Sequence, residues 1–254
     1  MKKITLLLTI LTLLVTYRAT AQNSIFLSHG KIEFERRINQ YAIIESTRES
    51  EGDNAWIDLQ KKAMPQFRSA YFDLLFTGNK TLYRPGREAP GKVSAFSMQM
   101  PADENVIWSD LDNEKAVTQK NIYEQLFLIQ DSLRHIQWKI TDENRVIAGF
   151  NCRRANALIM DSIYVVAFYT EEILTPGGPE SFTGLPGMIL GIALPHQHVT
   201  WFATKVEAAA VPETVIVAPV KGKKINNADL KKMLSDRIKD WGKWGRQLMV
   251  SSML

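Results

Sequence analysis

Residues 171–194 read EEILTPGGPESFTGLPGMILGIAL. The run Pro176-Gly177-Gly178-Pro179 excludes regular structure, because proline lacks the backbone donor and glycine loses the most entropy on ordering. Gly184-Leu185-Pro186-Gly187 sets a residue of fixed φ before one free to take positive φ, which predicts a type II turn. Met188-Ile189-Leu190 then opens an apolar run of strand length. The stretch therefore reads as a compact crossover that plugs one end of a sheet and feeds a buried strand. Glycine-rich loops also cradle phosphate through backbone N–H groups. Here no Lys-Ser/Thr follows and no helix begins, so the phosphate-loop reading fails.

The sequence on both sides of this stretch is strand-rich. Residues 163–170 form a long Val/Phe/Tyr run, and residues 106–108, 115–121, 125–130 and 136–140 are short strand candidates. A turn is expected at 141–144, with strand continuing through 145–150 and 151–159. Strands 188–194, 198–206 and 214–220 are expected after the loop. Upstream, residues 31–36 alternate polar and apolar, and strands 70–76 and 80–83 flank the hairpin signal Thr77-Gly78-Asn79. Turn signals recur every 8–12 residues or so, the spacing of an antiparallel meander rather than of βαβ units. Residues 84–104 read as a loop with an edge strand at 95–98.

Helical spacing occurs twice. Trp56, Leu59, Ala63 and Met64 predict a helix over 53–67 that Pro65 ends, with Asp53 or Asn54 as its cap. Leu230, Met233, Leu234, Ile238 and Trp241 make one apolar face over 228–247. Asn227 is the expected cap, and Gly242 and Gly245 weaken the end. The expected fold class is α+β, mainly antiparallel β: a curved sheet or bowl-like half-barrel with one or two packing helices, including a C-terminal one.

The N-terminus follows an export pattern. Met1-Lys2-Lys3 precedes an apolar stretch from 4 to 17, and Ala19 and Ala21 stand at −3 and −1 before Gln22. The domain reading is a cleaved signal at 1–21 and one β-rich domain at 22–254, hence a periplasmic or secreted protein with no span after cleavage. The whole chain has 31 Lys+Arg against 27 Asp+Glu, net +4. Losing Lys2, Lys3 and Arg18 leaves 28 against 27, about +1, with no dense basic stripe. A nucleic-acid partner is therefore not expected. Lys221-Gly222-Lys223-Lys224 reads as a solvated turn. The single cysteine, Cys152, has no disulfide partner and reads as a small buried hydrophobe in strand 150–157.

Several motifs in order resemble the GLPGLI family of exported Bacteroidetes proteins. They are Gly184-Leu185-Pro186-Gly187-Met188-Ile189, with Gly178-Pro179 and Phe182 before it, and upstream Phe127–Leu133, Trp138–Thr141, residues 147–155 and residues 168–173. Met188 stands where the family has Leu, Phe168 where Trp is usual, and Leu174-Thr175 replaces an apolar-Pro step. The resemblance is tight over about 120–195. It implies distant similarity to the bowl-like N-terminal domain of a peptide N-glycosidase, an accessory domain rather than a catalytic one. It also implies association with outer-membrane TonB-linked receptors. It names no reaction and places Gly178, Pro179, Phe182, Gly184, Leu185, Pro186 and Gly187 in one motif loop.

Catalytic signals are weak. His196 and His198 in a strand would share a face and could begin a zinc site, but a third ligand is required. His29 and His135 are far in sequence. Glu171 and Glu172 point to opposite faces of a strand, Asp131 and Asp161 read as turn or cap residues, and Ser181 lacks the Gly-x-Ser-x-Gly elbow. No catalytic residue, metal or cofactor is assigned. The expected function is a non-catalytic binding or adaptor protein of the envelope, with an outer-membrane receptor or a peptide or glycan as partner. Among the aromatics Tyr71, Phe72, Trp108, Tyr164, Phe168 and Trp201, the last four are candidate ligand contacts on a concave face. The alternative is a secreted hydrolase or metal-dependent enzyme acting on glycans or peptides, which needs carboxylates or a histidine constellation inside that concavity.

Overall fold

The computed structural model describes residues 26–47, 54–90 and 102–254. The first half holds β1 (His29–Asn39), helices α1 (Gln40–Thr47) and α2 (Asn54–Ala63), β2 (Phe67–Thr77), β3 (Lys80–Pro85), β4 (Val106–Asp110), β5 (Lys115–Ile122) and β6 (Gln125–Ser132). Then come β7 (Lys139–Ile147), β8 (Phe150–Ile159), β9 (Ile163–Thr170), β10 (Met188–Leu194), β11 (Val199–Glu207), β12 (Lys223–Ile225) and helices α3 (Asn227–Ile238) and α4 (Gly242–Met253).

One curved sheet takes all twelve strands, in the order β12-β6-β5-β4-β3-β2-β1-β11-β10-β9-β8-β7. Among the described residues the strands pair antiparallel except β12 with β6, which is parallel, and a lone parallel bridge joins Leu27 to Ile173. The chain runs outward from β1 to β6, crosses to the far edge at β7, and returns through β8–β11 to pair with β1. This is the expected mainly antiparallel α+β class.

Alternation divides the two faces. Ile32, Phe34, Arg36 and Ile38 of β1 share a face with Phe72, Leu74 and Phe76 of β2 and with Val199, Trp201 and Ala203 of β11, by register. That inner face, with Phe182 and Leu185 from the β9–β10 loop, forms the main core. A second cluster seats Leu230 and Leu234 of α3 and Met253 of α4 on Ile122, Phe127 and Ile129.

The structure corrects four local expectations. The predicted turn at 141–144 is a bulge inside β7, and the hairpin instead turns at Ala148-Gly149, both at positive φ (50° and 89°). Two such residues give the turn whose twist matches that of the flanking strands. Residues 214–220 form no strand. A 3₁₀ turn at Glu213–Val215 precedes an irregular segment that buries Ile216 while leaving Val217 and Val220 exposed. Of the Lys221-Gly222-Lys223-Lys224 run, read as a solvated turn, Lys223 and Lys224 instead open the edge strand β12. The single helix over 228–247 is two helices, broken where Gly242 takes φ +53°, and the first is capped by Asn226, whose side chain accepts from Asp229 N. Helix α1 has no periodic signal; Asn39 Oδ1 accepts from Ala42 N and starts it. The strand expected at 95–98 and the cap at Asp53 lie outside the described residues.

Candidate functional site

The β9–β10 loop packs inward as a plug. Gly177, Gly178, Pro179, Glu180, Phe182, Thr183 and Leu185 are all buried. Both Pro176 and Pro186 sit in three-residue turns, closed by Gly177 N to Thr175 O and Gly187 N to Leu185 O at 2.8 Å each. The expected type II turn is thus an i→i+2 turn centred on Pro186. Its reason is the close approach at Gly187, whose φ is +140° and where an added Cβ would fall 2.1 Å from Thr170 O. The Trp138 indole donates to Thr183 O at 2.9 Å and holds the loop from the side.

The loop delivers a charge into the interior. Pro179–Phe182 is a turn closed at 3.2 Å with Glu180 at φ +51°, and Glu180 is 2% exposed. Its carboxylate accepts from Asn105 Nδ2 at 2.7 Å and from Tyr83 OH at 3.5 Å. Burial raises its pKa, against the opposing pull of the Lys120 and Arg36 charges. Burial holds Lys120, also 2% exposed, down at about 8, with Glu180 opposing and Arg134 reinforcing. Tyr83 is pushed well above its ordinary value, first by burial and then by Glu180. Arg36 is engaged separately: it donates to Ala102 O at 2.7 Å and pairs with Asp103, which Arg68 also meets at 2.6 Å, while its Nε is buried without a hydrogen-bond partner among the described residues.

Beside this network, with Lys120 in its lining, lies a cavity of about 570 Å³. Its floor is the inner face of β4–β6, carrying Ser109, Thr118, Lys120 and Ile129; its far wall is the β8–β9 turn at 158–161. The end of α4 reaches into it. Three donors from separate elements grip three successive carbonyls there. Lys120 Nζ donates to Ser252 O at 2.9 Å, Arg134 Nη2 donates to Met253 O, and Ser181 Oγ donates to Leu254 O at 2.9 Å. The last carbonyls of a helix have no partner within it, and cations complement its negative end. Arg134 Nη1 and Ser252 Oγ are buried there without a hydrogen-bond partner among the described residues.

A second cavity of about 540 Å³ shares Met160, Lys231 and Met253 with the first. The two form one cleft between the β8–β9 turn and the helical pair. Asp131, in the first cavity, is already engaged: its carboxylate accepts from Asn227 N at 2.9 Å and from Ser132 N at 2.9 Å.

Of the four aromatics expected on the concave face, only Trp201 is there, 1% exposed and edge-on to Phe182. It walls a separate void of about 30 Å³ with Arg36 and Gln197. Trp108 lies on the face opposite Ile107 and Ser109, and its indole donates to Ile216 O at 3.1 Å. Tyr164 and Phe168 alternate away from Val165 and Ala167. Tyr164 meets Arg154, while Phe168 meets Phe202 and lies under Arg145. One residue of register decides the face in each case. Of the other two aromatics, Phe72 is inward, stacked on Tyr83 at 4.9 Å, and Tyr71 is outward under Arg87.

The histidine pair does not converge. Pro195–Gln197 is a 3₁₀ turn and His198 is left-handed, φ +55°, so the strand spacing is lost. His196 faces the second cavity, whereas His198 faces another, beside Arg37 and Phe67. Among the described residues no group of three His, Cys, Asp or Glu is placed to hold a metal. Cys152 is fully buried with its thiol pushed up to about 12 by burial, as the core reading expects.

Residues 158–191 match the Porph_ging family, described as a protein of unknown function. The match runs from the end of β8 through β9 and the whole loop into β10, so it contains Glu180 and the Gly184–Gly187 turn. No curated protein matches the chain. Among solved structures, PNGF-II in a P21 and in a C2 crystal form superposes at TM-score 0.51 with 14% identity over 81% of this chain. The chain spans about one third of PNGF-II's length, 33% and 32% in the two forms. The likeness is one of fold, and it agrees with the distant similarity to a peptide N-glycosidase that the sequence motifs imply.

The sequence reading does not single out Glu180, Lys120 or Arg134. Glu180 has a signal, being the one charged residue in 173–194. Lys120 has none: in β5 it is one more polar residue beside Gln119 and Asn121.

Proposed function

We propose that the chain is an exported, non-catalytic binding or adaptor protein of the cell envelope. It holds its ligand in the cleft between the β8–β9 turn and helices α3 and α4, and works with an outer-membrane receptor. The observation that carries this reading is how the acids are used around the cleft. Asp131 is engaged by two backbone donors, and Glu180 is sealed beneath the floor against Asn105 and Tyr83. A ligand in the cleft meets donors and methionines rather than paired carboxylates. Export is supported by the pattern of residues 1–21.

The alternative, a hydrolase acting on glycans or peptides, is favoured by one specific feature. Glu180 raised and Lys120 lowered are the opposed shifts that acid–base pairs show. Against it, Glu180 lines neither cavity of the cleft.

The test is site-specific photo-crosslinking in the native cell. A benzophenone side chain at Leu158, exposed on the cleft wall, should give an adduct with an outer-membrane protein, while one at Glu33 on the opposite face should not. Absence of a Leu158-specific adduct, or glycopeptide cleavage by the purified protein that Glu180→Gln abolishes, would overturn the adaptor reading.

A further inference from the structure

The charge of the mature chain is unevenly placed. Residues 221–246 carry nine Lys/Arg against three Asp, while the mature chain as a whole is nearly neutral. Helices α3 and α4 carry five of these cations, Lys231, Lys232, Arg237, Lys243 and Arg246, against Asp229 and Asp236, and with the flanking lysines they form a basic pole on a scaffold of slightly acidic sign. That pole faces the cleft: Lys231 lines both of its cavities, and Lys243 and Arg246 line the second. Lys120 and Arg134 extend the same sign along the first. Only Asp131 and Asp161 oppose them in the lining, and Asp131 is engaged by backbone donors. Lys231 and Arg246 form no ion pair among the described residues.

The apolar part of the cleft narrows the ligand class further. Met160, Met249 and Met253 supply it together with aliphatic side chains such as Ile107, Ile129, Leu158, Ile159 and Val250, and among the described residues no Phe, Tyr or Trp lines either cavity. Sugars and nucleobases are held on aromatic platforms, which this cleft lacks. Methionine walls re-pack around varied aliphatic side chains and recur at peptide-binding surfaces. Basic side chains around methionine-bearing walls complement a segment that alternates acidic and aliphatic residues.

Resting on the binding reading above, we propose that the ligand of this cleft is an acidic, amphipathic peptide segment of a partner protein. Its carboxylates meet Lys231 and Arg246 at the rim, and its aliphatic side chains meet Met160, Met249 and Met253. Rim charges of this kind act on association and salt dependence more than on the packed core of an interface.

The test uses the full mature chain and fluorescent twelve-residue peptides alternating Glu and Leu, Gln and Leu, or Lys and Leu, with an oligogalacturonate as an anionic glycan. The Glu peptide should bind, weaken as salt rises, and lose about tenfold in affinity when Lys231→Glu and Arg246→Glu are combined. Arg153→Glu, outside the cleft, should leave binding unchanged, and Lys231→Gln with Arg246→Gln provides a milder pair should the reversals unfold the chain. Equal binding of the Gln and Glu peptides removes the acidic class but leaves a peptide-binding cleft. Tighter binding of the oligogalacturonate overturns the peptide assignment. Failure of every peptide alongside a Leu158 crosslink in cells overturns this inference while the adaptor reading stands.

Discussion

Lys120 Nζ donates a 2.9 Å hydrogen bond to the carbonyl of Ser252, tying the floor of the sheet to the end of helix α4 across 132 residues of sequence. The bond explains how a lysine that is 2% exposed is tolerated in the interior. It caps a helix end, and Glu180 supplies compensating charge from the motif loop.

The Lys120 pair has a pH signature. The folded protein holds this proton less tightly than the unfolded chain, with a pKa of about 8 against 10.5. Between those values the unfolded state binds the extra proton, so the contribution of Lys120 to stability rises with pH. Relative to Lys120→Met, the wild type should gain up to about 3 kcal/mol between pH 7 and 10.5, read by denaturant unfolding at each pH. A difference that stays flat with pH would show that the ammonium is not buried as described.

Glu180 should show the opposite slope on the acid side. Its folded pKa is raised, so the native state keeps a proton that the unfolded chain loses above about pH 4.5, and stability falls as pH climbs through that window. Glu180→Gln should abolish the fall while still accepting from Asn105. Glu180→Ala, which leaves the Asn105 amide and the nearby cations uncompensated, should destabilise by about 3 kcal/mol. Thermal melts of the three proteins from pH 4 to 7 decide it.

Two glycines of the motif loop should respond unequally to alanine. Gly187→Ala drives a Cβ into Thr170 O and should destabilise by about 4 kcal/mol or prevent folding. Gly184, at φ +91°, has only the Trp138 ring within 4 Å, at 3.7 Å, so Gly184→Ala should lose about 1–2 kcal/mol from backbone strain alone. Equal losses at the two positions would refute the close approach.

Cys152 should be silent to thiol reagents at pH 8 in the folded protein and should label fully in denaturant, because its thiol is fully buried and its pKa is pushed up to about 12. Rapid native labelling would show that β8 opens locally.

Much of the fold was legible in local pattern. Residues 163–170 and 188–194 are unbroken apolar runs because both faces of β9 and β10 are covered. The Thr77-Gly78-Asn79 hairpin and the Asn54–Ala63 helix followed from turn chemistry and helical spacing. Sequence pattern and structure differ where local signals compete. Thr141-Asp142-Glu143-Asn144 has turn residues, yet it is spent on a bulge because Ala148-Gly149 closes the hairpin at the next opportunity. The candidate site was less legible. Trp108, Tyr164 and Phe168 are large and strand-borne, but which face they occupy depends on pairing register, which composition does not carry.

The sequence by itself determined the strand-rich class, the plug-like character of 171–194 and the burial of Cys152, because periodicity and the φ demands of Gly and Pro act over a few residues. Only the tertiary structure decided where charge meets charge. Glu180 lies 60 residues after Lys120, and Ser252 132 after it. Such groups become partners when a sheet curves and a helix end closes over it, and their shifted protonation arises from desolvation that no single segment possesses.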